Sequence, residues 1–278
     1  LAIMYETPLV IINVQRGGPS TGLPTKTEQS DLLQAMYGRN GDCPMIVIAA
    51  ANPSDCFNMA YEAARLTLEH MTPVILLTDG YIANGSEPWL IPDLTKQFNK
   101  IRTNLISDNS EIKEGEKYRP YIRDENLVRK WAIPGIPRYE HRLGGLEKEI
   151  ESGNVSYDPQ NHEMMTQIRA GKVAKVANNI PLLEIEGDNN GDILVVSWGG
   201  TYGSVCMAVK ELREDGKKVS HVHLKYLNPF PKNLREILGR FNKILVPELN
   251  NGQLVRILNA EFGCNASAYN KIQGLPFK

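Results

Sequence analysis

Short apolar runs without alternation set the strongest limit on what this chain can fold into. Residues 8–14, 45–51 and 73–78 are dominated by Val, Ile, Leu and Ala, and stretches of helical spacing separate them. A run that does not alternate has no water-facing side, so each reads as a strand buried on both faces. Strands of that kind interleaved with helices make a parallel sheet covered by helices, and the expected fold class is α/β. The helices expected here are 28–37, closed by Gly38, and one capped by Ser54 that runs to about His70 with Phe57, Tyr61, Ala64 and Leu68 on its packed face.

The same grammar returns in a smaller unit, with strands at 193–198, 219–226 and 243–247 and helices at 202–215, 232–239 and 251–262. Between the two, residues 87–157 scatter prolines, charges and glycines, and are expected to form an irregular excursion that covers a site or packs on another subunit. Asp158-Pro159 then opens a helix to about Asn178. A length of 278 residues favours two parallel-sheet domains over one. The turn-rich link Gly187-Asp188-Asn189-Asn190-Gly191 sets the expected boundary, giving 1–186 with the excursion and 187–278.

Gln15-Arg16-Gly17-Gly18-Pro19-Ser20-Thr21 leaves the carboxyl end of the first strand, where ligand crevices form in open α/β sheets. Arg16 carries a permanent charge and a planar fork of donors suited to a carboxylate or phosphate. Gly17 and Gly18 let a ligand approach the backbone, Ser20 and Thr21 add hydroxyls, and Thr25 with Glu28 is a capping-box pair. Arg16, Gly17, Gly18, Ser20 and Thr21 are therefore the candidate substrate-binding residues. A plain strand-to-helix turn with a surface arginine is the competing reading.

Other features are weaker. Gly199-Gly200-Thr201-Tyr202-Gly203 follows a strand but lacks both the Gly-x-Gly-x-x-Gly spacing and a P-loop lysine. His221 and His223 could ligate a metal from one strand face, but without a third ligand they read as solvent- or interface-facing. His141 and His162 read as structural, and Glu248 with Asn250 as either functional or interfacial. Cys43, Cys56, Cys206 and Cys264 form no Cys-x-x-Cys pair, which argues against a cluster or zinc site within the chain. A net charge of −1 leaves no nucleic-acid footprint. No apolar run approaches the ~20 residues a membrane span needs. Cytoplasmic localisation is expected.

The unbroken string from Gln15 to Asp31 closely resembles the α subunit of 2-oxoacid:ferredoxin oxidoreductases, especially the 2-oxoglutarate branch. The resemblance continues at Ala51-Asn52-Pro53-Ser54-Asp55, Leu77-Thr78-Asp79, Asp158-Pro159-Gln160-Asn161-His162-Glu163-Met164, Tyr226-Leu227-Asn228-Pro229-Phe230-Pro231 and Val246-Pro247-Glu248-Leu249-Asn250-Asn251-Gly252-Gln253-Leu254, so it covers almost the whole chain. It implies the C-terminal part of a thiamine-diphosphate pyrimidine-binding domain followed by a transketolase C-terminal-like domain. The implied reaction is oxidative decarboxylation of 2-oxoglutarate, or a related 2-oxoacid, to the acyl-coenzyme A with electrons to ferredoxin.

By position in the motif, Arg16 resembles the arginine that clamps the carboxylate of the 2-oxoacid; Lys26 beside it is a candidate second cation, although a solvated helix-cap lysine is the preferred reading of it. The resemblance puts thiamine diphosphate and Mg2+ at an interface with a β subunit and an iron–sulfur cluster on that partner. None is expected within this chain alone. Further γ and ferredoxin-like subunits are candidate partners. The cofactor-activating glutamate and the Thr/Ser-Pro motif of such subunits would lie upstream of Leu1, so no catalytic residue is expected in this chain and cofactor-binding residues stay unassigned. Because the chain opens on Leu1 and enters a strand almost at once, it is expected to be an N-terminally truncated fragment, inactive alone and weak in binding thiamine diphosphate. The alternatives are another thiamine-enzyme half, of transketolase or branched-chain dehydrogenase type, and a non-catalytic α/β interaction module.

Overall fold

The computed structural model describes residues 1–98, 100–109, 112–113 and 115–278, so the parts of the expected excursion at 99, 110, 111 and 114 lie outside the described residues. The first half runs α1 (Ala2–Tyr5), β1 (Leu9–Gln15), α2 (Leu32–Tyr37), β2 (Ile46–Ala49), α3 (Pro53–His70), β3 (Pro73–Asp79) and α4 (Gly80–Asn84). β1, β3 and β2 lie side by side in that order, all parallel. β2 and β3 are buried along their whole length, as their unbroken apolar runs demand.

β1 departs from expectation. It is the edge of the sheet, and Ile12 and Val14 stand 59% and 51% exposed. Its sequence makes it a strand but says nothing of its neighbours.

Two local expectations also give way. α2 starts only at Leu32, because Thr25 adopts left-handed backbone (φ 62°) and Thr27, Glu28 and Gln29 are buried in loop contacts; the Thr25–Glu28 capping box does not form. The cap of α3 is Asn52, whose side chain accepts from Asp55 N at 2.8 Å, with Pro53 in the first turn. The buried face of α3 is Met59, Ala63, Leu66, Thr67 and His70 rather than the Phe57 series. Both faces carry apolar groups at helical spacing. The sheet takes the aliphatic one, while Phe57 meets Trp89 at 5.3 Å and Tyr61 meets Phe98 at 4.5 Å.

Among its described residues the excursion holds only the short α5 (Leu94–Gln97) and the parallel pair β4 (Leu105–Ile106) and β5 (Trp131–Ala132) as regular elements. It packs on its own chain. Buried Arg129 donates to the carbonyls of Tyr5 and Glu6, and buried Lys148 to those of Met4 and Leu146. Glu6 pairs with Arg123 of the excursion and with Lys172 of α6 (Pro159–Lys175), a helix capped by Asp158 as expected.

The second half contains β6 (Gly191–Trp198), α7 (Tyr202–Glu214), β7 (Val219–Leu224), β8 (Tyr226–Asn228), α8 (Leu234–Leu238), β9 (Phe241–Glu248), α9 (Gln253–Phe262) and β10 (Ser267–Asn270). Its sheet is fully parallel in the order β10-β9-β6-β7. The single strand expected over 219–226 is divided. β7 stays in this sheet, while β8 crosses to pair antiparallel with β2, Val47 opposite Asn228, so the first sheet is mixed rather than purely parallel. The principal core runs through both halves, joining Leu32, Val47 and Leu77 to Trp198, Leu227 and Leu254.

Candidate functional site

β1 and β3 end side by side, Gln15 opposite Asp79. The loop that follows β1 is tied down at both ends by Gln15: its Nε2 donates to Thr78 O at 3.0 Å, and its Oε1 accepts from Asp31 N at 3.1 Å. Asp79 is a buried carboxylate with four donors. Oδ1 accepts from Thr27 Oγ1 (3.0 Å), Tyr81 N (2.8 Å) and Ile82 N (3.1 Å), and Oδ2 accepts from Gly200 N (3.1 Å). One side chain thus caps α4, holds the loop and fastens it to the second sheet. A Cβ at residue 200 would stand 2.2 Å from Asp79 Oδ2, so any larger residue there would have to displace this buried carboxylate.

Gln29, fully buried, completes the fastening. Its Nε2 donates to Trp198 O at 2.6 Å and its Oε1 accepts from Leu249 N at 2.9 Å, while its own carbonyl accepts from Asn250 Nδ2 at 2.8 Å. Within the loop, Gly17 N donates to Lys26 O at 3.0 Å and Leu23 N to Gly17 O at 2.9 Å. Gly22 has φ +48°, and a Cβ there would lie 2.0 Å from Gly17 O, so this turn also requires glycine.

On this fixed base Arg16, Gly18, Ser20 and Thr21 are exposed, and Gly17 is buried beneath them. The Arg16 carbonyl accepts from Ser30 Oγ at 2.9 Å. Its guanidinium makes no hydrogen bond or ion pair among the described residues. Glu28 lies buried under the loop, its carboxyl pushed upward by burial and held in part by the Gly18 N–H. An unpartnered, permanently charged donor fork on a rigid loop at the carboxyl end of a strand is chemically an anion receptor.

The sequence does not mark Thr27, Gln29, Asp79 and Gly200 as the residues that hold this loop. Only the Asp79-Gly80 punctuation at a strand end signals one of them. Lys26 is exposed within the loop, away from any helix cap. Gly199–Thr201 form one 3-10 turn packed against Gln29 and Asp79, and Asp79 Oδ2 already takes the Gly200 N–H. Glu248 and Asn250 are buried and accept from the backbone amides at the start of α9, behind its N-cap Gly252. Glu248 accepts from Leu254 N, Val255 N, Trp198 Nε1 and Asn250 Nδ2, and Asn250 Oδ1 accepts from Gly252 N and Gln253 N.

His141 bonds to Tyr139 O and His162 to Glu147. His221 is fully buried and so not solvent-facing, His223 is half-buried at a crevice, and both rings bond to Ser197 Oγ at 2.7 Å.

Among the described residues no group of three or more His, Cys, Asp or Glu side chains is placed to hold a metal ion. These residues do not by themselves make a cradle for a metal-bound diphosphate.

Comparison with known proteins supplies the family. Residues 1–156 match the family described as pyruvate flavodoxin/ferredoxin oxidoreductase, thiamine diphosphate-binding, and residues 191–276 match pyruvate:ferredoxin oxidoreductase core domain II. The chain is 49% identical over 280 residues to 2-oxoglutarate oxidoreductase subunit KorA of Mycobacterium tuberculosis, covering 100% of this chain and 41% of that protein. It is 31% identical over 258 residues to the 2-oxoglutarate synthase subunit KorA of Methanothermobacter thermautotrophicus, covering 91% of this chain and 65% of that protein. A solved 2-oxoglutarate:ferredoxin oxidoreductase from Magnetococcus marinus, with 2-oxoglutarate, coenzyme A and succinyl-CoA bound, superposes with a TM-score of 0.89 at 34% identity, over 100% of this chain and 48% of that one. The chain therefore spans less than half of the first of these relatives and of that solved chain. With an α/β fold of parallel sheets, the arginine loop at a strand's carboxyl end and matches to two domains of one enzyme class, the chain belongs to the pyruvate flavodoxin/ferredoxin oxidoreductase family and corresponds to part of a 2-oxoacid:ferredoxin oxidoreductase α subunit.

Proposed function

We propose that this chain is the substrate-clamping part of a thiamine-diphosphate-dependent 2-oxoacid:ferredoxin oxidoreductase acting on 2-oxoglutarate, with residues 1–186 and 187–278 as its two units. The observation that carries this reading is the unpartnered Arg16 fork on a loop fastened by Asp79 and Gln29, in a chain whose relatives are named for 2-oxoglutarate. Arg16 takes the substrate carboxylate, the backbone at Gly17 and Gly18 admits it closely, and Ser20 and Thr21 supply hydroxyl donors. This holds the keto carbon at reacting distance, which is a positioning effect. Mg2+ and the iron–sulfur cluster belong to a partner β subunit in this reading, coenzyme A and ferredoxin are the other reactants, and the complex works in the cytoplasm.

The test is coenzyme-A-dependent reduction of a viologen dye by the full-length chain assembled with its β partner. 2-Oxoglutarate is expected to support the reaction far better than pyruvate. Arg16→Ala is expected to raise KM for 2-oxoglutarate about 10- to 100-fold, the worth of a charge-assisted bond, with a smaller change in kcat. An unchanged KM, or Arg16→Ala complexes that no longer assemble, would instead make the loop an interface element.

A further inference from the structure

A second crevice lies between the two sheets, away from the Arg16 loop, where β2 and β7 reach their carboxyl ends. It encloses about 360 Å³ and is lined by Ala51, Asn52, Tyr202, His223, Lys225 and Tyr226 among others. Behind it a file of hydrogen bonds runs inward and back out. Glu186 Oε2 lies 3.0 Å from His221 Nδ1, His221 Nε2 lies 2.7 Å from Ser197 Oγ, and Ser197 Oγ lies 2.7 Å from His223 Nδ1. Tyr202 O–H donates to Glu186 Oε1 at 3.1 Å and its ring stands against both imidazoles.

The direction of every bond in this file follows from its acid end. A carboxylate only accepts, so His221 carries its proton on Nδ1 and presents a lone pair at Nε2. Ser197 has one hydrogen and gives it to that lone pair. Its oxygen then accepts from His223 Nδ1–H, which leaves His223 Nε2 as a bare acceptor. Burial pushes both imidazoles below the ordinary histidine range, with Glu186 opposing this at His221 and the charge of Lys225 adding to it at His223, so the neutral forms this order needs are the ones favoured. His223 Nε2 is also buried with no hydrogen-bond partner among the described residues, although every other member of the file is satisfied. An orphaned acceptor on the wall of a crevice at strand carboxyl ends lacks a donor.

We propose that this crevice binds a small molecule bearing a hydroxyl or amide N–H donor, which His223 Nε2 accepts, while Glu186, His221 and Ser197 act as positioning residues that fix the His223 tautomer. Leu182, Leu183 and Pro231 give the crevice an apolar side for the body beside that donor, while Glu184, Glu186 and Lys225 line it with both signs of charge.

The test uses two amides of nearly equal size on the full-length protein in its assembled complex, read by ligand-observed saturation-transfer NMR. N-methylacetamide carries an N–H donor and N,N-dimethylacetamide does not. N-methylacetamide is expected to bind about fivefold more tightly, the worth of one neutral hydrogen bond, and His223→Leu to remove that preference. The wild-type comparison needs no variant and stands even if His223→Leu fails to fold. Equal binding of the two amides, binding of neither, or a preference that survives His223→Leu would overturn the proposal. Ser197→Ala, which frees the tautomer, is expected to reduce the preference while leaving N,N-dimethylacetamide unaffected.

Discussion

At the scale of single residues, the arrangement rests on buried polar side chains that satisfy several donors at once. Asp79 takes four, and the approach of Gly200 to it leaves no room for a methyl group. Gly200→Ala is expected to destabilise the fold by about 2 kcal/mol through forced displacement of a buried carboxylate, seen as a lower urea midpoint with little change in m-value. Wild-type stability in that variant would mean that the Asp79 contact yields easily. Gln29 shows why such residues escape a reading of the chain: its neighbours suggest a helix start, yet its amide is spent on Trp198 and Leu249, far away in sequence. Local pattern carries no information about partners of that kind.

At the scale of elements, the strands are set by their apolar runs and the loops by their caps. α9 begins where Asn250 accepts from Gly252 N and Gln253 N, with Glu248 behind it accepting from two further amides. Asn250→Ala is expected to cost about 2 kcal/mol, because the amides at the start of α9 lose their acceptor and the buried acceptor Gln29 O loses its donor, measured by chemical denaturation. Asn250→Asp is expected to recover none of it, because its second carboxylate oxygen would face Gln29 O and the buried Glu248 carboxylate, the acceptors that Asn250 Nδ2 now serves. β7 and β8 read as one strand because the residues between them offer no turn signal. They part because Lys225 reaches across to Asp55 at 2.7 Å and Tyr226 O–H to Glu62 at 2.9 Å, which draws β8 to the other sheet.

At the scale of the whole molecule, acid is expected to loosen the join between the excursion and the sheet. Burial lowers the His70 imidazole to about 4, with Arg65 adding to the effect. The unfolded chain therefore binds this proton first, and stability is lost as pH falls from about 6.5 toward 4. Burial alone would raise Glu6, but Lys172 and Arg123 outweigh it and hold the carboxyl at about 2. Its contribution is present above about 4.5 and is lost as pH falls through 2. Urea midpoints at pH 7, 5 and 3 should fall at each step. Replacing His70 by Asn should flatten the first step and shrink the second to the part that Glu6 supplies; a first step of unchanged size would remove His70 as its cause.

The sequence by itself determined the α/β class, the order of most strands and helices, and the Arg16 loop at the carboxyl end of β1. Unbroken apolar runs, caps and glycine turns are local properties, and spacing reports them directly. Only the tertiary structure decided that β1 lies at an edge, that β8 changes sheets, that α3 buries its aliphatic rather than its aromatic face, and that Asp79, Gln29 and Gly200 hold the loop. Each of these depends on which surfaces meet across a core shared by both halves. That choice is made by the energy of side chains from distant parts of the chain packing together, which no window of sequence contains.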